Sequence, residues 1–169
     1  MEICRNGDVI KISDIDPFLA ELLRQIPASA QPDDSLAARQ RLFSLPADPN
    51  EKEICREWEI YVEPEMKRLF QTAVETVAED LQQLNGKEKS VRNCTLKIPA
   101  SHADAWLNGL NQARLAIAAR CEFSDQELAD HYRSPIGSRR DLSLFQVNFY
   151  GFLQEYILRE IEPGGKPPN

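Results

Sequence analysis

One arginine stands where the pattern of this 169-residue sequence calls for an apolar side chain. At about 100° per residue, Ala103, Leu107, Leu110, Ile117, Ala118 and Cys121 fall on one side of a helix, Arg114 projects from the centre of that stripe, and Asn111 sits beside it. A guanidinium taken out of water costs several kcal/mol unless it is paired and hydrogen-bonded, and it presents five donors in a fixed fork. Two chemistries answer it. Either a carboxylate of the fold does, with Glu51, Asp80 and Glu160 lying on or near apolar helical faces, or Arg114 and Asn111 line a pocket for an anionic ligand or a partner's carboxylate. The internal ion pair is the commoner arrangement, and periodicity does not choose among the three acids. With such a pair, Arg114→Ala would cost several kcal/mol by stranding a buried carboxylate.

A second cluster of cations, Arg133, Arg139 and Arg140 with Ser134 and Ser138 between them, is the concentrated positive patch of an acidic chain. It would suit a phosphate or an acidic segment, although arginines in a solvated loop are commonplace. His102 and Asp104 have the residue types for acid/base work. Two such residues near a helix start are more often cap and surface groups, and no Ser or Cys nucleophile motif accompanies them. Trp58 and Trp106 read as core residues before interface anchors. Cys4, Cys55, Cys94 and Cys121 form no CxxC pair, and His102 and His131 form no HxxxH, so no metal site is expected. Cys121 closes the apolar stripe and reads as a small buried hydrophobe. A glycine-rich phosphate loop, a paired-carboxylate motif and a nucleophile elbow are all lacking. The residues therefore imply no cofactor and lean away from an enzyme.

The chain's overall balance narrows the partners. A net charge of −7 works against unsteered binding to phosphate backbones or anionic lipid, so neither nucleic acid nor a membrane is expected. No run approaches the 18 or so apolar residues of a membrane span. Scattered cysteines without a basic-then-apolar leader point to reduced thiols in a cytoplasmic protein. With 42% hydrophobic residues the chain reads as one domain over residues 1–162, with a frayed Pro/Gly-rich tail over 163–169.

The elements that must position these residues are mainly helical. Alternation around Asn6-Gly7 predicts a short hairpin over residues 2–12, and Ser13 or Asp14 would cap a helix from about 15 to 25 that Pro27 ends. Asp33 and Asp34 precede a short helix through Leu36 and Leu42. Another helix spans about 50–62, where Pro64 either kinks it or starts the next, and an amphipathic stripe follows over 65–84. Residues 91–98 read as extended and able to pair with the hairpin. The helix at about 101–121 carries Gly109, Ala113, Ala116 and Ala119 on its nominal outer face, so it is small and apolar nearly all round and belongs at the centre of a bundle. Ser124-Asp125-Gln126-Glu127 is a capping box, and a long helix over about 141–161 closes the core. The fold class is mainly α: a helical bundle around a central helix with a small N-terminal β hairpin.

The run Trp106-Leu107-Asn108-Gly109-Leu110-Asn111-Gln112-Ala113-Arg114-Leu115 resembles an uncharacterised bacterial family, the domain of unknown function numbered two thousand and seventeen, with its Trp-Leu-x-x-Leu-Asn-x-x-Arg-Leu signature. The match is densest over 100–127. Gln112 stands where that family usually has an acidic residue, which makes this chain a divergent member. The resemblance implies a mostly helical protein whose relatives are often encoded beside the proteolytic adaptor ClpS, and it carries over no catalytic residues. The expected function is a non-enzymatic protein-interaction or regulatory domain linked to Clp proteolysis, with a homodimer left open. The alternative is a small anionic-ligand-binding domain or enzyme using Arg114 and Asn111.

Overall fold

Gly7 lets the chain reverse, because its φ of +62° lies in the left-handed region that a Cβ disfavours. Strand β1 (Glu2–Asn6) then returns antiparallel as β2 (Val9–Ile15), with Asn6 opposite Val9, so the connecting pair is Gly7-Asp8 and not Asn6-Gly7. A third strand, β3 (Cys94–Pro99), pairs antiparallel with the other edge of β2. The extended segment expected beside the hairpin is therefore present from Cys94 onward. Between Ile12 and Ile15 the register shifts, and Asp14 there adopts a φ of +52°. This bulge breaks strict alternation, so Ile10, Ile12 and Ile15 all reach the core and are fully buried.

The computed structural model describes residues 1–32, 35–85, 94–129 and 136–161; Asp33, Asp34, the polar stretch after Asn85, Arg133 and the 163–169 tail lie outside them. Asp16 starts α1 (Pro17–Arg24): its carboxylate accepts from the Phe18 and Leu19 N–H groups, while Ser13 and Asp14 remain in β2. Pro27 does not stop the chain there. It occupies the first turn of a short α2 (Ile26–Ser29), where a missing N–H costs nothing. Ser35 caps α3 (Leu36–Leu42) through its hydroxyl.

Helix α4 (Lys52–Glu57) passes through one π-helical turn, Trp58–Val62, into α5 (Glu63–Leu81). Pro64 lies in the first turn of α5. Having no N–H to give, it cannot continue an unbroken ladder. The wider turn, closed by the Glu63 N–H on the Trp58 carbonyl, absorbs the break without ending the helix.

Helix α6 (Ala103–Arg120) packs against α2, α3, α5 and the last helix, α8 (Arg139–Ile161), and is the central helix expected from its composition. Its buried face is rotated from the periodic stripe. Trp106, Gly109, Leu110, Ala113, Ala116 and Ile117 are buried, whereas Leu107, Ala118 and Cys121 are only half-buried. Small residues permit the close approach: a Cβ on Gly109 would lie 3.1 Å from Val77 Cγ2 of α5. The inner face of the sheet, α1, α5, α6 and α8 contribute to one contiguous hydrophobic cluster. Between α6 and α8, the capping box forms as predicted at the start of α7 (Asp125–Ala129), with the Glu127 carboxylate accepting from the Ser124 N–H at 2.9 Å and from its hydroxyl at 2.8 Å. Among the described residues no helix is long and apolar enough to cross a membrane.

Candidate functional site

Arg114 lies at the seam of α6 and α8, and among the described residues no carboxylate pairs with it. Its Nη1 donates to the Gln154 side-chain oxygen at 2.6 Å, and Gln154 in turn donates to the Leu107 carbonyl at 2.9 Å. Gly151 makes room for this arrangement. A Cβ there would stand 3.2 Å from the guanidinium carbon, so the planar group rests against bare α8 backbone. Its Nε is buried without a hydrogen-bond partner, and so is Asn148 Nδ2 one turn earlier on α8. Both atoms belong to residues lining an open groove of about 510 Å³, walled by Phe145, Phe149 and Phe152 and bordered by Glu155. Burial presses the Arg114 pKa below its ordinary value. A partly desolvated cation and an amide, each with a buried donor that has no partner, thus belong to residues lining one groove.

Of the three acids expected to compete for Arg114, two are engaged elsewhere and one is exposed. Asp80 is 8% exposed and accepts from Trp106 Nε1 at 2.8 Å, and its Oδ2 lies 3.0 Å from His102 Nδ1. Glu160 accepts from the Arg5 N–H at 2.6 Å, tying α8 to β1. Glu51 is exposed at the start of α4. Asn111 is exposed and does not line the groove; Asn148 is the amide that shares it with Arg114. His102 pairs with Asp80 and not with Asp104, because α5 and α6 cross where Asp80 meets the first turn of α6. That carboxylate orders Trp106 and His102 at the head of the central helix. Trp106 is fully buried, as a core residue should be, and Trp58 is half-buried.

The arginine cluster is divided. Arg140 is committed between helices: it pairs with Glu127 at 2.8 Å, donates to the Cys121 carbonyl, and lies over the Phe123 ring at 4.5 Å. Glu127 is held down at about 2 by the Ser124 backbone N–H first, then by Arg140 and the Ser124 hydroxyl. Arg139 is exposed at the first position of α8, and Arg133 falls outside the described residues. Among the described residues no group of His, Cys, Asp or Glu is arranged to hold a metal, and the thiols of Cys4, Cys55 and Cys121 are free.

Asn148 and Gly151 had one legible signal, a glycine in the interior of a long helix, where it costs about 1 kcal/mol relative to alanine and calls for a packing reason. Which side chain needed that space depends on how α6 and α8 meet.

A family model described as Domain of unknown function (DUF2017) matches residues 11–161. Comparisons with curated proteins and with solved structures give no match. The matched span runs from within β2 to the last residue of α8 and includes every side chain of the groove. The chain therefore belongs to the DUF2017 family.

Proposed function

We propose that this chain is a non-enzymatic protein-interaction domain whose docking site is the Arg114 groove, and that the occupant is a carboxylate side chain of a partner protein flanked by an apolar residue. The observation that supports this reading is the pair of buried, unanswered donors, Arg114 Nε and Asn148 Nδ2, at a groove walled by phenylalanines. A partner carboxylate would accept from both, and its neighbouring apolar residue would cover Phe152, which is 43% exposed. The chain's net negative charge leaves selection to this local site, because long-range attraction for an acidic partner is absent. Clp-dependent proteolysis, through ClpS, is the partner system that the family resemblance suggests first.

Affinity capture from native lysate, run with the wild type and Arg114→Gln side by side, tests the reading. The expected result is enrichment of ClpS or a Clp protease component with the wild type and its loss with the variant. Equal enrichment with both proteins, or enrichment of neither component, overturns the Clp assignment. The docking chemistry is tested separately by titrating acetylated Phe-Glu-Leu and Phe-Gln-Leu amides while observing the Arg114 Nε–H resonance. The Glu peptide alone should move it, and a response to neither peptide would overturn the carboxylate site.

A second reading, a small anionic ligand or substrate held by Arg114 with Asn148 in the place expected for Asn111, draws support from the groove's volume of about 510 Å³. That volume falls within the range of small-molecule sites. Saturable binding of a free small anion that excludes the Glu peptide would favour it.

A further inference from the structure

A second, smaller cavity lies on the other side of α6, where α3 stands off from α2 and α5. Positions 112 and 114 are roughly 200° apart around a helix, so Gln112 and Arg114 serve different surfaces. Gln112 is 3% exposed, lines this cavity of about 260 Å³, and its Nε2 is buried without a hydrogen-bond partner. An unanswered amide there costs stability that a leucine of similar size would not. The walls are Leu42, Phe43, Phe70 and Val74. Two cations stand at the exposed end. Lys67 is already paired with Glu63 and lies over the Phe43 ring, whereas Arg39 forms no ion pair among the described residues. The far wall is held in place from α6 itself, by Arg120 donating to the Ser29 and Gln31 carbonyls at the end of α2.

We propose that this cavity binds a small organic acid: its carboxylate at Arg39 in the mouth, its apolar body between Phe43 and Phe70, and a second accepting oxygen on Gln112 Nε2 at the floor. The orientation follows from desolvation. A carboxylate at the floor would meet an amide and no cation, whereas at the mouth it keeps both water and Arg39. The volume lies below the usual range for drug-sized ligands, which limits the ligand to a single ring or a short branched chain. This proposal is independent of the Arg114 groove.

The test uses two hydroxylated acids as probes, 4-hydroxyphenylacetate and 4-hydroxybenzoate, with the Gln112 side-chain NH2 resonances as readout and the Leu42 and Val74 methyl resonances of the cavity wall in their place for Gln112→Leu. At least one acid should shift them saturably. That acid should bind about tenfold tighter than its neutral alcohol counterpart, reflecting the charged contact, and about fivefold tighter than its analogue lacking the hydroxyl. Arg39→Gln should abolish the first preference and Gln112→Leu the second, while Arg114→Gln should change neither. If neither acid moves the Gln112 signals at millimolar concentration, or if acid and alcohol bind alike, the proposal fails. Preferences that survive both Arg39→Gln and Gln112→Leu overturn it equally.

Discussion

Gly151 and Arg114 fit against each other as backbone and plane: the three closest atoms to a Cβ built on Gly151 would all belong to the guanidinium, at 3.2 to 3.3 Å. The glycine gives up helix propensity, about 1 kcal/mol relative to alanine, and the seam between α6 and α8 gains space for a cation that would otherwise be pushed out. Gly151→Ala therefore separates stability from binding. The clashing atoms are the far end of a flexible side chain, so the helix should keep its stability or gain up to about 1 kcal/mol while Arg114 is displaced from the groove. Thermal unfolding should show an unchanged or raised Tm, and the Glu-peptide response at Arg114 should be lost. A variant that binds the peptide as the wild type does would show that the seating of the guanidinium is irrelevant to the groove.

Arg114→Met should be nearly neutral. The several kcal/mol expected for an internal ion pair applies to a cation whose removal strands a buried carboxylate, and Asp80, Glu51 and Glu160 are all engaged or exposed elsewhere. What is lost is the bond to Gln154, about 1 kcal/mol, and the desolvation of a half-buried charge is relieved at the same time. Urea denaturation checks this. A loss near 4 kcal/mol would restore a structural role for the cation.

Asp80→Ala should be the costly change. Trp106 is fully buried, and its Nε1–H would be left with no acceptor, a loss of about 2 to 3 kcal/mol for a hydrogen bond to a charged group and the orphaned donor together. Trp106→Phe in the Asp80→Ala background should cost less than in the wild type, because the donor is then already unpaired. Additive losses in that double-mutant cycle would show that the two side chains do not act as a unit.

The contrast between Arg114 and Asp80 marks what a sequence makes legible and what it does not. Local signals carried well. The glycine turn, the capping box at Ser124 and Glu127, and the small residues of α6 each act within a few positions, so the mainly helical architecture and the central helix follow from them. Pairings across helices did not. Asp80 and Arg114 both lie on long helices with apolar faces, but which faces meet depends on the rotation of α5 and α8 about α6, set by packing such as Gly109 on Val77. A periodic pattern locates a face only to within about one residue, or 100°, which is enough to leave Asn111 outside the groove that Arg114 lines, while Asn148 comes from α8, a helix whose placement the pattern on α6 does not give.

Tyr150 gives the fold a sensitivity to alkaline pH. Its hydroxyl is fully buried, donates to the Leu22 carbonyl at 2.6 Å and accepts from Gln146 Nε2 at 2.7 Å, so α8 is tied to α1. Burial pushes its pKa up to about 12, from an ordinary value near 10. Below pH 10 the phenol is neutral in both folded and unfolded chains, and its contribution is fully present. As the pH rises from about 10 to 12, the unfolded chain releases the proton while the folded chain retains it, so stability falls by about 2 to 3 kcal/mol across that window. Tyr150→Phe lacks this titration. It should be about 1 kcal/mol less stable at pH 8, through the lost hydrogen bonds, yet lose less stability than the wild type between pH 10 and 11.5. Urea midpoints measured in parallel across that range should converge, and parallel curves would mean that the phenol ionises as easily in the folded chain as in the unfolded one.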